Sequence, residues 1–342
     1  MKPSKKLLRA GPKGPVFFTC GWHRLSIFLT ALFLVIAPPA WAAPRAYITN
    51  QGDNSVSVID TLTDKVITTI AVGDKPAGVA VNHDGSRIYV TNPESRDVSV
   101  IDGQHAKVIA TIPAGQGPLG IALHPSGRWL YVADWYTHEI LVIDTDKLAI
   151  VKKIAVDLSP SGIAVTPDGS RLFVANRDSN NVSVINTETN AVIATVDVGT
   201  APFGVTFDPA KNRIYIANVR SHDVSVIDGA SLKVITTFKV RAWPYGIAIT
   251  KDGERIFVTN QHDDSVSVID GNNFANIATL TAGEYPEGIM VHPDGRRVYV
   301  ASWFSNEVTV IDVDSLKTLA TIPVGDGPRA FGIFIEDAAN GE

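Results

Sequence analysis

The 342-residue sequence predicts an all-β fold, a closed ring of seven four-stranded antiparallel sheets. Three observations carry the expectation: a pattern repeated seven times at constant spacing, four β-branched segments inside each repeat, and chain ends that complete one another.

The repeat runs from Tyr47-Ile-Thr-Asn to Asp60, Tyr89-Val-Thr-Asn to Asp102, Tyr131-Val-Ala-Asp to Asp144, Phe173-Val-Ala-Asn to Asn186, Tyr215-Ile-Ala-Asn to Asp228, Phe257-Val-Thr-Asn to Asp270 and Tyr299-Val-Ala-Ser to Asp312. Each start follows the last by 42 residues without insertion. In the unit 76–117, apolar segments occupy Gly78–Val81, Arg87–Thr91, Val98–Ile101 and Val108–Ile112. Val, Ile and Thr dominate them, which favours strands, and turn residues separate them. Asp84-Gly85, Ser126-Gly127, Asp168-Gly169, Asp252-Gly253 and Asp294-Gly295 mark a hairpin between first and second strands, where glycine supplies positive φ. Gly73/Pro76, Gly115/Pro118, Gly199/Pro202 and Gly283/Pro286 would break a helical repeat of similar length. Strands apolar on both faces need cover on both, which blades packed between neighbours provide.

Closure follows from the termini. The first repeat begins at a second strand, Arg45–Asn50, and Phe331–Ile335 has the character of the missing first strand. Pairing this C-terminal strand with the N-terminal blade removes two open edges and completes a seven-bladed β-propeller. On these motifs the chain resembles the YVTN-repeat β-propeller family of exported bacterial proteins, over residues 44–342. The resemblance implies a fold and little about function, because the shared residues are structural.

Residues 1–43 differ in kind. Lys2, Lys5, Lys6, Arg9, Lys13 and Arg24 precede an apolar run from Leu25 to Ala37, which Pro38, Pro39 and Ala40-Trp41-Ala42 follow. The run is short for a bilayer span and reads as a signal peptide cleaved beside Ala42 or Ala43, which predicts a periplasmic or secreted destination and no stable membrane span after cleavage. The remainder carries 24 Lys and Arg against 35 Asp and Glu, a net charge of −11, which disfavours general affinity for nucleic acid or anionic lipid. The single cysteine, Cys20, lies in the leader, so no disulfide or thiol nucleophile is expected beyond it.

In a repeat protein the departures from the repeat are where a partner can be read. The loop between second and third strands and the connection before each first strand should emerge on one face, around the mouth of the central channel. There the sequence places Trp135, Tyr136, His138, Arg177, Arg220, Arg241, Trp243, Tyr245, His262, Trp303, Phe304 and Arg329, together with Phe203, Tyr285 and Glu287. Aromatic rings and guanidinium groups on one rim suit stacking and bidentate binding of anionic groups. The bland alternative is that these rings cap the blade ends. His138, His222 and His262 lie on the same face beside carboxylates but come from different blades, so no metal or cofactor is assigned.

Gly115-Gln-Gly-Pro-Leu-Gly120 matches a dinucleotide fingerprint by letter but precedes a strand, so it is read as a turn. Nucleophile-elbow and phosphate-loop motifs do not occur. The expectation is a monomeric, non-enzymatic binding protein that recognises a peptide, glycan, single-stranded nucleic acid or protein on this rim. The alternative, implied by what similar propellers do, is a lactonase-like hydrolase or a partner of a periplasmic quinone-dependent dehydrogenase.

Overall fold

The computed structural model describes residues 44–337 together with residues 11 and 14–18. The expected signal-peptide core and cleavage region, residues 25–43, lie outside the described residues. The ring is a seven-bladed β-propeller, each blade a meander of four antiparallel strands. Blades two to seven begin at inner strands Gly78–Val81, Pro118–Leu123, Pro160–Val165, Pro202–Asp208, Pro244–Ile249 and Pro286–Val291. Blade one takes its second to fourth strands from Arg45–Asn50, Ser55–Asp60 and Lys65–Ala71.

The repeated letters translate into repeated contacts. The first aromatic of each Tyr-Val-Thr-Asn strand is buried between sheets, and residues of adjacent blades share each cluster, as Tyr89, Val98 and Val100 do with Ile121, Leu130 and Leu141. The buried Asn that ends the strand donates through Nδ2 to two side chains on the third strand: Asn50 to Ser55 and Ser57, Asn176 to Asn181 and Ser183. At the axis, glycine is required by close approach, since a Cβ at Gly162 would lie 2.1 Å from the Phe203 carbonyl oxygen and one at Gly204 2.1 Å from that of Tyr245. At the periphery an arginine that opens the second strand donates to a carbonyl of the next blade: Arg87 to Thr145, Arg171 to Gly229 and Arg213 to Gly271.

Ring closure is present, with a departure from the simple expectation. The C-terminal segment bridges Pro328 to Asn50 and Ile335 to Ala46, and the Tyr47 N–H donates to the Phe334 carbonyl at 2.8 Å. Between these bridges seven steps of the C-terminal segment face four of its partner, whereas in blade five Pro202 to Phe207 makes five steps against four from Asn218 to Ile214. The surplus forms a bulge. Phe331–Ile333 leaves its own blade and pairs in parallel with Gly78–Ala80 of blade two. The cause is local: Ala330 stands where the other blades have the axial glycine, and Gly332 takes a φ of 100°. The last peripheral arginine, Arg297, reaches back to the Thr61 carbonyl and to Tyr299 Oη, which donates to Asp64 at 2.6 Å. Beside it the buried His292 bonds Thr61 Oγ1 at 2.9 Å and lies 2.9 Å from Asp294.

Candidate binding face

Two loop positions build the face. The residue before the inner-strand proline takes a left-handed conformation in six of the blades, at Lys75, Ser159, Ala201, Trp243, Tyr285 and Gly327, but not at Gly117. It is held by a side chain from the preceding blade: the Trp243 N–H donates to His222 Nδ1 at 3.1 Å, the Ser159 N–H to His138 Nδ1 at 3.0 Å and the Tyr285 N–H to Asp264 at 2.9 Å. Asn54, Asn180 and Asn306 do the same for Lys75, Ala201 and Gly327. His138 and His222 therefore occupy a slot that asparagine and aspartate fill elsewhere, with Nδ1 as acceptor. They are clamps between blades, and among the described residues no three His, Cys, Asp or Glu side chains gather as metal ligands.

The second position is the residue between the proline and the axial glycine: Ala77, Leu119, Ser161, Phe203, Tyr245, Glu287 and Arg329. Spaced by 42, these seven form an inner ring. Phe203 stacks on Tyr245 with centroids 4.0 Å apart, and Phe331 from the closure bulge meets both rings at 5.2 and 5.3 Å. Leu119, Trp135 and Trp243 join the same cluster. These residues come from blades on different sides of the ring, so their meeting fills the axis. The expected channel mouth is consequently absent from this face: the open cavity begins beyond Phe203 and Tyr245 and runs toward the opposite one.

Polar chemistry within the plug is already paired. Arg329 forks onto Glu287, Nε to Oε2 at 2.6 Å and Nη2 to Oε1 at 3.0 Å, while Gln261 Nε2 donates to Oε1 at 2.6 Å. Glu287 is 1% exposed and Arg329 16%. Burial pushes the Glu287 carboxyl above its ordinary range, and Arg329 pulls against that. Burial also opposes the Arg329 charge, but Glu287, by charge and hydrogen bond, together with Tyr245 and Tyr285 outweighs it, and the guanidinium stays protonated. Burial raises the Tyr245 phenol, with the Glu287 charge adding to it, so the hydroxyl stays neutral.

Outward from this pair runs a chain of rings. Arg329 lies over Trp303 at 5.3 Å, Trp303 stacks on Phe304 at 4.9 Å, Tyr285 meets both, His262 meets Tyr285 at 6.0 Å, and Trp243 lies 4.2 Å from His262. Arg177 sits over Trp135 at 5.7 Å, and Arg241 pairs with Asp263 at 3.1 Å. Thus Trp135, Arg177, Trp243, Tyr245, His262, Trp303, Phe304 and Arg329 are brought into one arc. Tyr136 stands apart over Gly117, 69% exposed, and Arg220 is exposed outside the chain of rings. Sequence reasoning missed Gln261 and Phe331. Gln261 is read as an ordinary loop residue, and Phe331 is misassigned to a regular strand because the bulge is invisible without its partner.

Residues 218–340 match the YNCE-like β-propeller family, and residues 102–231 match the lactonase, seven-bladed β-propeller family. No curated protein matches the chain. Among solved structures, hydrazine synthase of Kuenenia stuttgartiensis is similar at 24% identity with a TM-score of 0.73, over 84% of this chain and 99% of that one. A functionally unknown protein from Desulfotomaculum acetoxidans is similar at 16% identity and 0.73, over 85% of this chain and 100% of its own. Dihydro-heme d1 dehydrogenase NirN, solved in complex with DHE, is similar at 17% identity and 0.67, over 87% and 78%. At these identities the likeness is one of fold.

Proposed function

We propose that the chain is an exported, non-enzymatic binding module that holds a protein or peptide partner on the aromatic arc. The observation that carries this reading is the unbroken run of rings from Trp243 to Phe304, which ends on a Phe304 that is 61% exposed. Large rings with one wet edge are typical anchors for partner side chains. The arginines of the arc already face carboxylates or rings, and the mature charge is −11, so a polyanion such as single-stranded nucleic acid is disfavoured against a peptide. Glycan binding would use the same rings and is the nearest competitor.

A peptide library displayed on phage and panned against the wild type should enrich aromatic-containing sequences that the Trp243→Ala/Trp303→Ala variant does not retain. Equal retention by both proteins would refute the assignment. A second reading, an enzyme or enzyme accessory, is favoured by the lactonase-family match alone. Its test is turnover of a lactone panel with added divalent metal, abolished by Glu287→Gln.

A further inference from the structure

Beyond the plug the axis opens into a cavity of approximately 820 Å³, within the range of small-molecule sites. Its inner end is Phe203, Tyr245 and Phe331, and its walls are the inner strands, with Ala122, Ala164, Val205, Ala248, Met290 and Ile333 in the lining. Six steps of chain lead from Tyr245 to Lys251 at the far end, so the bore is at most about 20 Å deep at 3.3 Å per residue. Ile333, projected by the closure bulge, is 59% exposed although it lines this bore. A large aliphatic side chain is thus presented to the cavity with nothing covering it among the described residues.

The outer end is a second ring of seven, on the face of the first hairpin turns: His83, Pro125, Pro167, Pro209, Lys251, Pro293 and Asp337. Four prolines make the collar apolar. His83, Asp84 and Asp337 stand together on the side of blades one and two, His83 Nδ1 lying 3.4 Å from Asp337; Lys251 of blade six, separated from them by Pro293 of blade seven, joins no ion pair among the described residues. An apolar bore, blind at the aromatic plug and rimmed by prolines, with the Lys251 ammonium on one side of the collar and the Asp84 and Asp337 carboxylates on the other, suits a molecule with a long hydrocarbon part and one charged end, and the Lys251 side accepts an anionic one.

We propose that this channel binds a long-chain aliphatic carboxylate, its chain along the bore against Ile333 and Met290 and its carboxylate at Lys251. The site is separate from the aromatic arc, from which the Phe203–Tyr245–Phe331 plug divides it.

The test is calorimetric titration of residues 44–342 with dodecanoate below its micelle concentration, beside dodecyltrimethylammonium. Dodecanoate should bind at one per chain and the cation at least ten-fold more weakly. Lys251→Glu should weaken dodecanoate about five-fold or more, the upper range for an exposed ion pair. Ile333→Asp, at an exposed position that folding does not need to bury, should weaken it more than ten-fold by placing a charge in the bore. Ala164→Trp should block the bore, and Trp243→Ala on the opposite face should leave the affinity within two-fold. Absence of saturable binding, equal affinity for the cation, or indifference to Ile333→Asp overturns the proposal. Loss of binding in Trp243→Ala would place the ligand on the arc instead.

Discussion

Replacing Glu287 with alanine isolates what holds the plug together. The carboxylate is 1% exposed, receives two bonds from Arg329 and one from Gln261, and has no solvent to take its place. Removing one partner of a buried ion pair costs about 3–5 kcal/mol because the remaining charge is stranded. Arg329 keeps 16% exposure and a 3.3 Å contact to Tyr245 Oη, so the lower end applies. Loss of the Gln261 acceptor adds about 1 kcal/mol, for an expected total of roughly 4 kcal/mol. Glu287→Gln, which preserves shape and most bonds, should cost less than the alanine variant. Glu287→Ala/Arg329→Met should recover much of the loss, since apolar replacement of both partners removes the stranded charge. Urea denaturation followed by tryptophan fluorescence measures all three, provided the slopes agree. A single-variant loss under 1 kcal/mol, or a double variant as unstable as the summed singles, would refute the buried-pair account.

Two further outcomes follow from the closure and the axis. His292 is 4% exposed between Thr61, Asp294, Arg297, Asp64 and Tyr299, and burial, against the pull of Asp294, lowers its proton affinity. The unfolded chain then binds the proton better than the native one. The His292 contribution is therefore complete above about pH 6.5 and declines as pH falls below that, at no more than about 1.4 kcal/mol per pH unit. Denaturation midpoints between pH 5 and 7.5 should show this loss, and His292→Gln should flatten it; an unchanged profile would contradict the reading. Gly162→Ala should destabilise by about 1–3 kcal/mol by driving a methyl group into the Phe203 carbonyl 2.1 Å away, and a melting temperature equal to wild type would show that the inner strands can separate.

The blade count, the strand order and the closing of the ring were legible because each depends on periodicity. A 42-residue repeat that buries an aromatic ring, a β-branched residue and a small polar residue at the same places seven times has one economical way to cover all its apolar faces. The inner axial ring is written in the chain, as the residue that changes after an unchanging Pro, whereas the outer ring is not, because its members are themselves mostly prolines and the closure bulge displaces Asp337 from the 42-residue spacing. Which of those changes meet was not legible. Contacts such as Arg329 with Tyr245, 84 residues apart, depend on the curvature of the ring and on side-chain reach. His138 is expected from sequence as a partner-binding residue of the rim, whereas in the fold its Nδ1 accepts the Ser159 N–H.

By itself the sequence determined the frame, because identical segments impose identical packing. The tertiary structure alone decided that Ala330 and Gly332 throw a bulge into the axis. That bulge, with the large residues of the inner ring, closes one end of the channel and leaves the other open. A bulge exists only as a mismatch between two paired strands, and here those strands come from opposite ends of the chain.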